Sequence, residues 1–203
     1  MGEIMEQLIV GKSLEMQLAA LLDTLPSDAT VSYMVTRLNE GEEATIVASS
    51  KETIVHTGAS MVKTLILEYV FHLAAQEQLD LNDTLALSRS PRVEGAGALM
   101  ELVGNHSFSY LELCRLMMVL SDNWATNLLI QALGMENINA RAEQLGLEHF
   151  EINRMMMDFE ASSEGRENRL TAMSLARLYH HIFEHRDRDA YGHEMWNILG
   201  RQQ

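Results

Sequence analysis

Lysine is the scarcest charged residue in this chain: Lys12, Lys51 and Lys63 are the only three in 203 residues. Acidic residues number 29 against 15 Lys and Arg, a net charge of −14. A chain so poor in clustered cations is not built to hold DNA, RNA or an anionic membrane surface, all of which demand basic patches. Proline is nearly absent as well, with Pro26 and Pro91 alone, and there is no Gly/Ser-rich tract. No linker between independent domains is therefore indicated, and 47% hydrophobic residues suffice for one sizeable core, so a single domain over residues 1–203 is expected. The one cysteine, Cys114, excludes an internal disulfide, and its place in an apolar helical pattern predicts a buried, inert thiol. Glu3 and Glu6 precede any apolar run, so no secretory leader is expected, and Glu6 breaks the myristoylation pattern. As written, the chain is expected in the cytoplasm.

Against these absences stand two short polar motifs. Ser60 and Lys63 form the chain's one Ser-x-x-Lys, and Ser121-Asp122-Asn123 follows it. From the composition, chance supplies roughly 0.2 and 0.03 occurrences of the two patterns. The residue types suit acyl transfer. A serine hydroxyl is a poor nucleophile near neutral pH and needs a base within hydrogen-bond reach, with donors for the oxyanion that forms. A lysine becomes that base when desolvation pushes it toward the neutral amine. Three residues apart on a helix, the two side chains share one face.

Val62, Leu65, Ile66, Tyr69, Val70 and Leu73 recur with helical period, which predicts a helix carrying Ser60 and Lys63 at its start. Gly58 and Ala59 leave the hydroxyl open, and the unpaired N–H groups of a first turn can donate to an oxyanion. The alternative is plain capping, with Ser60 as N-cap and Lys63 solvated. Ser109 to Glu112 reads as a capping box before an apolar helix that ends at Ser121-Asp122-Asn123. Such a corner can turn Ser121 and Asn123 toward a cleft while Asp122 caps the helix opening at Trp124; two unrelated caps are again the alternative.

Elsewhere, residues 3–24 read as an amphipathic helix ending before Pro26. Residues 31–38 and 44–49 read as two strands joined through Asn39-Glu40-Gly41-Glu42. Residues 78–104 read as mostly loop, with Gly95-Ala96-Gly97 as breakers, and helices are expected at 109–120, 123–133, 136–145, 171–185 and 189–199. The layout is α+β, with an N-terminal antiparallel hairpin and a mostly helical middle region. His181 and His185, near Asp189, form a possible metal face that a solvated helix explains better; no metal or cofactor is expected. Met155 to Met157 read as packing rather than a binding surface.

At Ser60, Lys63 and Ser121-Asp122-Asn123 the chain resembles the class A β-lactamase and penicillin-binding transpeptidase group, whose third motif is Lys-Thr-Gly. Residues about 30 to 185 follow that group's order of elements, and Arg154 to Leu178 resembles its loop and following helix. The resemblance implies a β-lactamase/transpeptidase-like fold. It further implies Ser60 as acylated nucleophile, Lys63 as base or proton relay, Ser121 as relay to the leaving nitrogen and Asn123 as holder of the substrate's amide side chain. The Ser60 N–H would be one oxyanion donor. The implied substrate is a small β-lactam or peptide-like amide.

Two departures qualify the match. No lysine is followed by Thr-Gly, and only 80 residues follow Asn123, so the motif's strand and the last helix are expected to be missing from this piece. The Glu-x-x-x-Asn that activates the hydrolytic water in class A enzymes is also absent from Arg154 to Glu160. Asp158, Glu160 and the displaced pair Glu164 and Asn168 are the only candidates, and a solvated loop carboxylate is the simpler reading for each. Three functions remain in view: a β-lactamase-like hydrolase, a D-alanyl-D-alanine peptidase or transpeptidase with a long-lived acyl-enzyme, and a non-catalytic ligand sensor on the same fold.

Overall fold

The computed structural model describes residues 14–39 and 44–202. Helix α1 covers residues 14–22, so its expected first part, with Ile4 and Leu8, lies outside the described residues. Strands β1 (Tyr33–Arg37) and β2 (Thr45–Ser50) pair antiparallel with a bulge between Val35 and Thr36; most of their expected connecting loop, from Glu40, also lies outside the described residues. The expected hairpin is therefore present, and α7 (Ala172–His185) packs on β1.

Helix α2 (Lys63–Ala75) is the hub, touching α3 (Tyr110–Val119), α4 (Asn123–Leu133), α5 (Met135–Gln144), α7 and α8 (Ala190–Leu199). Its apolar residues form a stripe in the sequence, but neighbours bury residues 63–68 on every side, Lys63, Thr64 and Glu68 included, and leave Tyr69, His72 and Leu73 half-buried. One hydrophobic cluster runs from Val62 through Leu129 to Ile198. Cys114 is fully buried in α3, and burial pushes its thiol pKa up.

The main correction concerns Ser60. It does not sit in α2; it sits on a separate 3-10 turn, Ala59–Val62, and α2 begins at Lys63. That turn makes no side-chain cap hydrogen bond, so Ser60 is not an N-cap. Smaller strands add to the expected hairpin: β3 (His56–Thr57) pairs with β6 (Arg169–Leu170), and β4 (Thr84–Ala86) with β5 (Ser107–Ser109). Strands of two or three residues carry too little periodicity to read in advance. Helix α6 (Phe159–Ser163), started by the Asp158 carboxylate on the Ala161 N–H, likewise interrupts the expected loop.

The remaining helices begin where their caps stand. Ser109 and Glu112 close the expected capping box on α3. Asp122 accepts from the Ala125 N–H at the head of α4.

Candidate active site

Three segments meet at the motifs: the 59–62 turn with the head of α2, the corner between α3 and α4, and the loop 94–99. Lys63, 1% exposed, reaches the corner and donates from Nζ to the Ser121 carbonyl at 2.7 Å, Ser121 Oγ at 2.9 Å and Asn123 Oδ1 at 3.1 Å. Ser121 Oγ lies 3.1 Å from Ser60 Oγ, which is solvent-exposed. The structure thus brings Ser60, Lys63, Ser121 and Asn123 together, but Lys63 is linked to Ser60 through Ser121, Nζ donating to Ser121 Oγ and Ser121 Oγ to Ser60 Oγ. Placing Ser60 on the 3-10 turn rather than on α2 alters the simple one-face geometry expected for the pair.

Electrostatics favour a basic amine. Burial lowers the Lys63 pKa from 10.5 to about 8, while the nearby Asp122 carboxylate pulls it upward. At neutral pH about a tenth of the molecules then carry the free amine. A solvated first-turn lysine is excluded by the burial and by the three acceptors.

The corner is held by strain and by one carboxylate. Ser121 adopts φ +53°, a left-handed conformation that turns its hydroxyl out of the helical path. Asp122, 1% exposed, accepts from Ala125 N–H at 2.9 Å, Ala98 N–H at 2.7 Å and Leu99 N–H at 2.8 Å. Loop 94–99 is thereby fastened to the corner, and Asn123 adds a bond from its own N–H to Ala96 O at 3.0 Å. Gly97 is required: with φ +121°, a Cβ there would lie 2.3 Å from Asp122 Oδ2. Gly95-Ala96-Gly97, expected to be simple breakers, is therefore part of the site; paired glycines ahead of a polar corner are the signal the sequence offers.

Two more residues belong to the site without standing out in the motifs. Asn127, one helical turn after Asn123 and buried, donates to Met156 O at 3.0 Å and accepts from Met156 N–H at 2.7 Å, docking the 151–160 loop on α4. Asn168, 2% exposed, accepts from the N–H groups of Asn153 and Arg154 at 2.8 and 3.0 Å. Its carbonyl takes the Gly58 N–H at 2.7 Å, two residues before Ser60. A polar residue inside an apolar pattern is the sign at Asn127, whereas the polar run around Asn168 gives none.

The carboxylates considered for activating water are engaged elsewhere or open to solvent. Asp158 caps α6, Glu164 pairs with Arg166, and Glu160 is exposed. Met157 instead approaches the corner: a Cβ on Gly95 would stand 2.8 Å from Asn123 Nδ2 and 3.4 Å from the Met157 Sδ and Cε. Beside this contact runs a cleft of about 510 Å³, lined among others by Val93, Glu94, Asn127, Met156 and Phe159. Of the methionine run, Met156 is buried while Met157 is 37% exposed, so packing accounts for only part of it. The imidazoles of His181 and His185 lie 4.3 Å apart, tilted by 36°, and His181 contacts Glu68. Among the described residues no group of three or more His, Cys, Asp or Glu is arranged to hold a metal ion.

The arrangement of helices and small antiparallel sheets is an α+β fold of the β-lactamase/transpeptidase type. An ancestral class A β-lactamase superposes with a TM-score of 0.78 at 20% identity, covering 94% of this chain and 72% of that one. PBP-A, solved as a point mutant in an acyl-enzyme complex with penicillin G, gives 0.77 at 24% identity, covering 94% and 69%. A β-lactamase from Sphaerobacter thermophilus DSM 20745 gives 0.71 at 24%, covering 84% and 63%. In sequence, β-lactamase BRO-1 of Moraxella catarrhalis is 30% identical over 97 residues, a match spanning 44% of this chain and 31% of that protein. The family model described as the β-lactamase enzyme family matches residues 13–203, and the chain belongs to that family.

Proposed function

We propose that the protein is a serine acyl-transferring hydrolase that opens β-lactam amide bonds, folded as one domain around its shared core. The observation that carries this reading is the continuous chain of polar groups Ser60 Oγ, Ser121 Oγ and Lys63 Nζ, with spacings of 3.1 and 2.9 Å. With Lys63 neutral, the Ser60 proton passes to Ser121 as the Ser121 proton passes to the amine. Ser60 Oγ attacks the carbonyl carbon, and the N–H groups at the head of the 59–62 turn, that of Ser60 first, face the oxyanion. As the C–N bond breaks, the same relay runs backwards and delivers the proton to the departing nitrogen. Asn123, fixed by Lys63, Glu94 O and Ala96 O, holds the amide of the substrate's side chain.

A specific feature favours a second reading. Asp158, Glu160 and Glu164 are each turned to other uses or to solvent, which supports a slow deacylation step and hence a D-alanyl-D-alanine peptidase or transpeptidase. Mass spectrometry after incubation with benzylpenicillin tests both. The ring opens without losing an atom, so the expected product is heavier by one whole penicillin molecule and is absent from Ser60→Ala. Persistence of the adduct selects the peptidase-like reading, and rapid return to the free mass selects the hydrolase. No adduct on either protein together with no consumption of penicillin sinks acyl transfer and leaves a non-catalytic binding module.

A further inference from the structure

On another part of the molecule, a cavity of about 130 Å³ opens between α2, α5, α7 and α8, and none of Ser60, Lys63, Ser121 or Asn123 lines it. At its floor Glu68, whose side chain is 3% exposed, takes two hydrogen bonds from Arg141, at 3.0 Å from Nε and 2.5 Å from Nη2. His181 Nε2 lies 3.3 Å from the same carboxylate. Burial alone would raise the Glu68 pKa, but the bonds from His181 and Arg141 hold it below the ordinary carboxylate range. The floor charge is therefore already matched.

The walls are not matched. His185 gives Nδ1–H to the His181 carbonyl at 2.8 Å, so its Nε2, without a partner among the described residues, becomes a donor only when the ring is protonated. The side chains of His72, Arg188 and Tyr191 line the cavity with no hydrogen bond or ion pair of their own among the described residues. Asp189, the second carboxylate at the rim, is committed to the Gly192 N–H as the cap of α8. Three of the chain's eight histidines and two of its arginines thus gather around one hollow in a protein of net charge −14. Arg141 and His181 are matched by Glu68, whereas Arg188 and the protonated rings of His72 and His185 offer donors that a bound anion satisfies.

We propose that this cavity binds a small tetrahedral oxyanion, phosphate or sulfate, held by Arg188, His72 and His185 above the Glu68–Arg141–His181 floor. Binding takes up protons. Burial, then repulsion from Arg141 and His181, lowers the His72 pKa, although Glu68 opposes this. An anion beside the ring reverses the lowering, so affinity rises as pH falls. The groups that set this balance come from every wall: Glu68 and His72 on α2, Arg141 on α5, His181 and His185 on α7, and Arg188, Asp189 and Tyr191 at the start of α8.

Thermal melting of the full chain gives the test, with phosphate titrated to about 20 mM against sodium chloride of matched ionic strength. The melting temperature is expected to rise with phosphate and with sulfate but not with acetate, and the affinity for sulfate, whose charge is constant over this range, to be several-fold higher at about pH 6 than at about pH 8. Arg188→Ala, at an exposed position, and His72→Gln are expected to remove the response while retaining the far-UV spectrum. Three results would each overturn the proposal: no shift beyond the chloride control, an equal shift in Arg188→Ala, or an equal response to acetate. A pH-independent shift would overturn the coupling to His72.

Discussion

At the scale of single residues, Asp122 and Lys63 define opposite uses of a buried charge. Asp122 is fully satisfied by three backbone N–H groups, and its loss would leave two segments untied and their donors orphaned. Asp122→Ala is expected to destabilise the protein by about 2–4 kcal/mol, read from the urea midpoint. Lys63 is held in a state it partly resists. Its folded pKa of about 8 lies below its ordinary 10.5, so between those values the unfolded chain binds the extra proton and stability rises with pH. On the proposed mechanism acylation follows the same titration, because the relay would need the free amine. The rate of penicillin adduct formation is expected to climb through about pH 8 and then level off, and Ser121→Ala to slow it by about 10²–10⁴-fold. A rate flat across that range would remove Lys63 from the role of base.

At the scale of elements, α2 carries both the lysine and, five residues on, the Glu68–Arg141 pair that ties it to α5. Removing one partner of so buried a pair leaves an uncompensated charge. Arg141→Met is expected to cost about 3–5 kcal/mol in a denaturation curve, and Glu68→Leu added to it to recover most of the loss. Neither the pair nor the burial of the first turns of α2 on all sides could be read from the chain, because helical periodicity reports one apolar face and is silent on what covers the other. The caps were legible for the opposite reason. Ser109 with Glu112, and Asp122 with Ala125, act within three residues of themselves, so spacing alone decides them. The short strands β3 to β6 were not legible, since each depends on a partner more than 20 residues away.

At the scale of the whole molecule, the net charge of −14 opposes the compact state through self-repulsion. Screening relieves it. The melting temperature is expected to rise as sodium chloride goes from about 0.01 to 0.15 M, where the screening length falls from about 30 to 8 Å; a fall would mean that ion pairs such as Arg115–Glu194 outweigh the repulsion. Among the described residues no helix is long and apolar enough to cross a membrane.

The chain by itself determined which residues could do acyl chemistry, because Ser-x-x-Lys and Ser-Asp-Asn are defined by identity and local spacing. It also determined most helix limits and the α+β layout, which follow from periodicity and caps. Only the tertiary structure decided that Ser60 stands on its own turn, that Ser121 links it to Lys63, and that two glycines let a loop close over the corner. Those facts depend on the meeting of segments some 25 to 60 residues apart in sequence, and on a left-handed turn at Ser121 that no local propensity favours. Contacts of that range are settled when the core closes, and the amine's lowered pKa comes from the same closure.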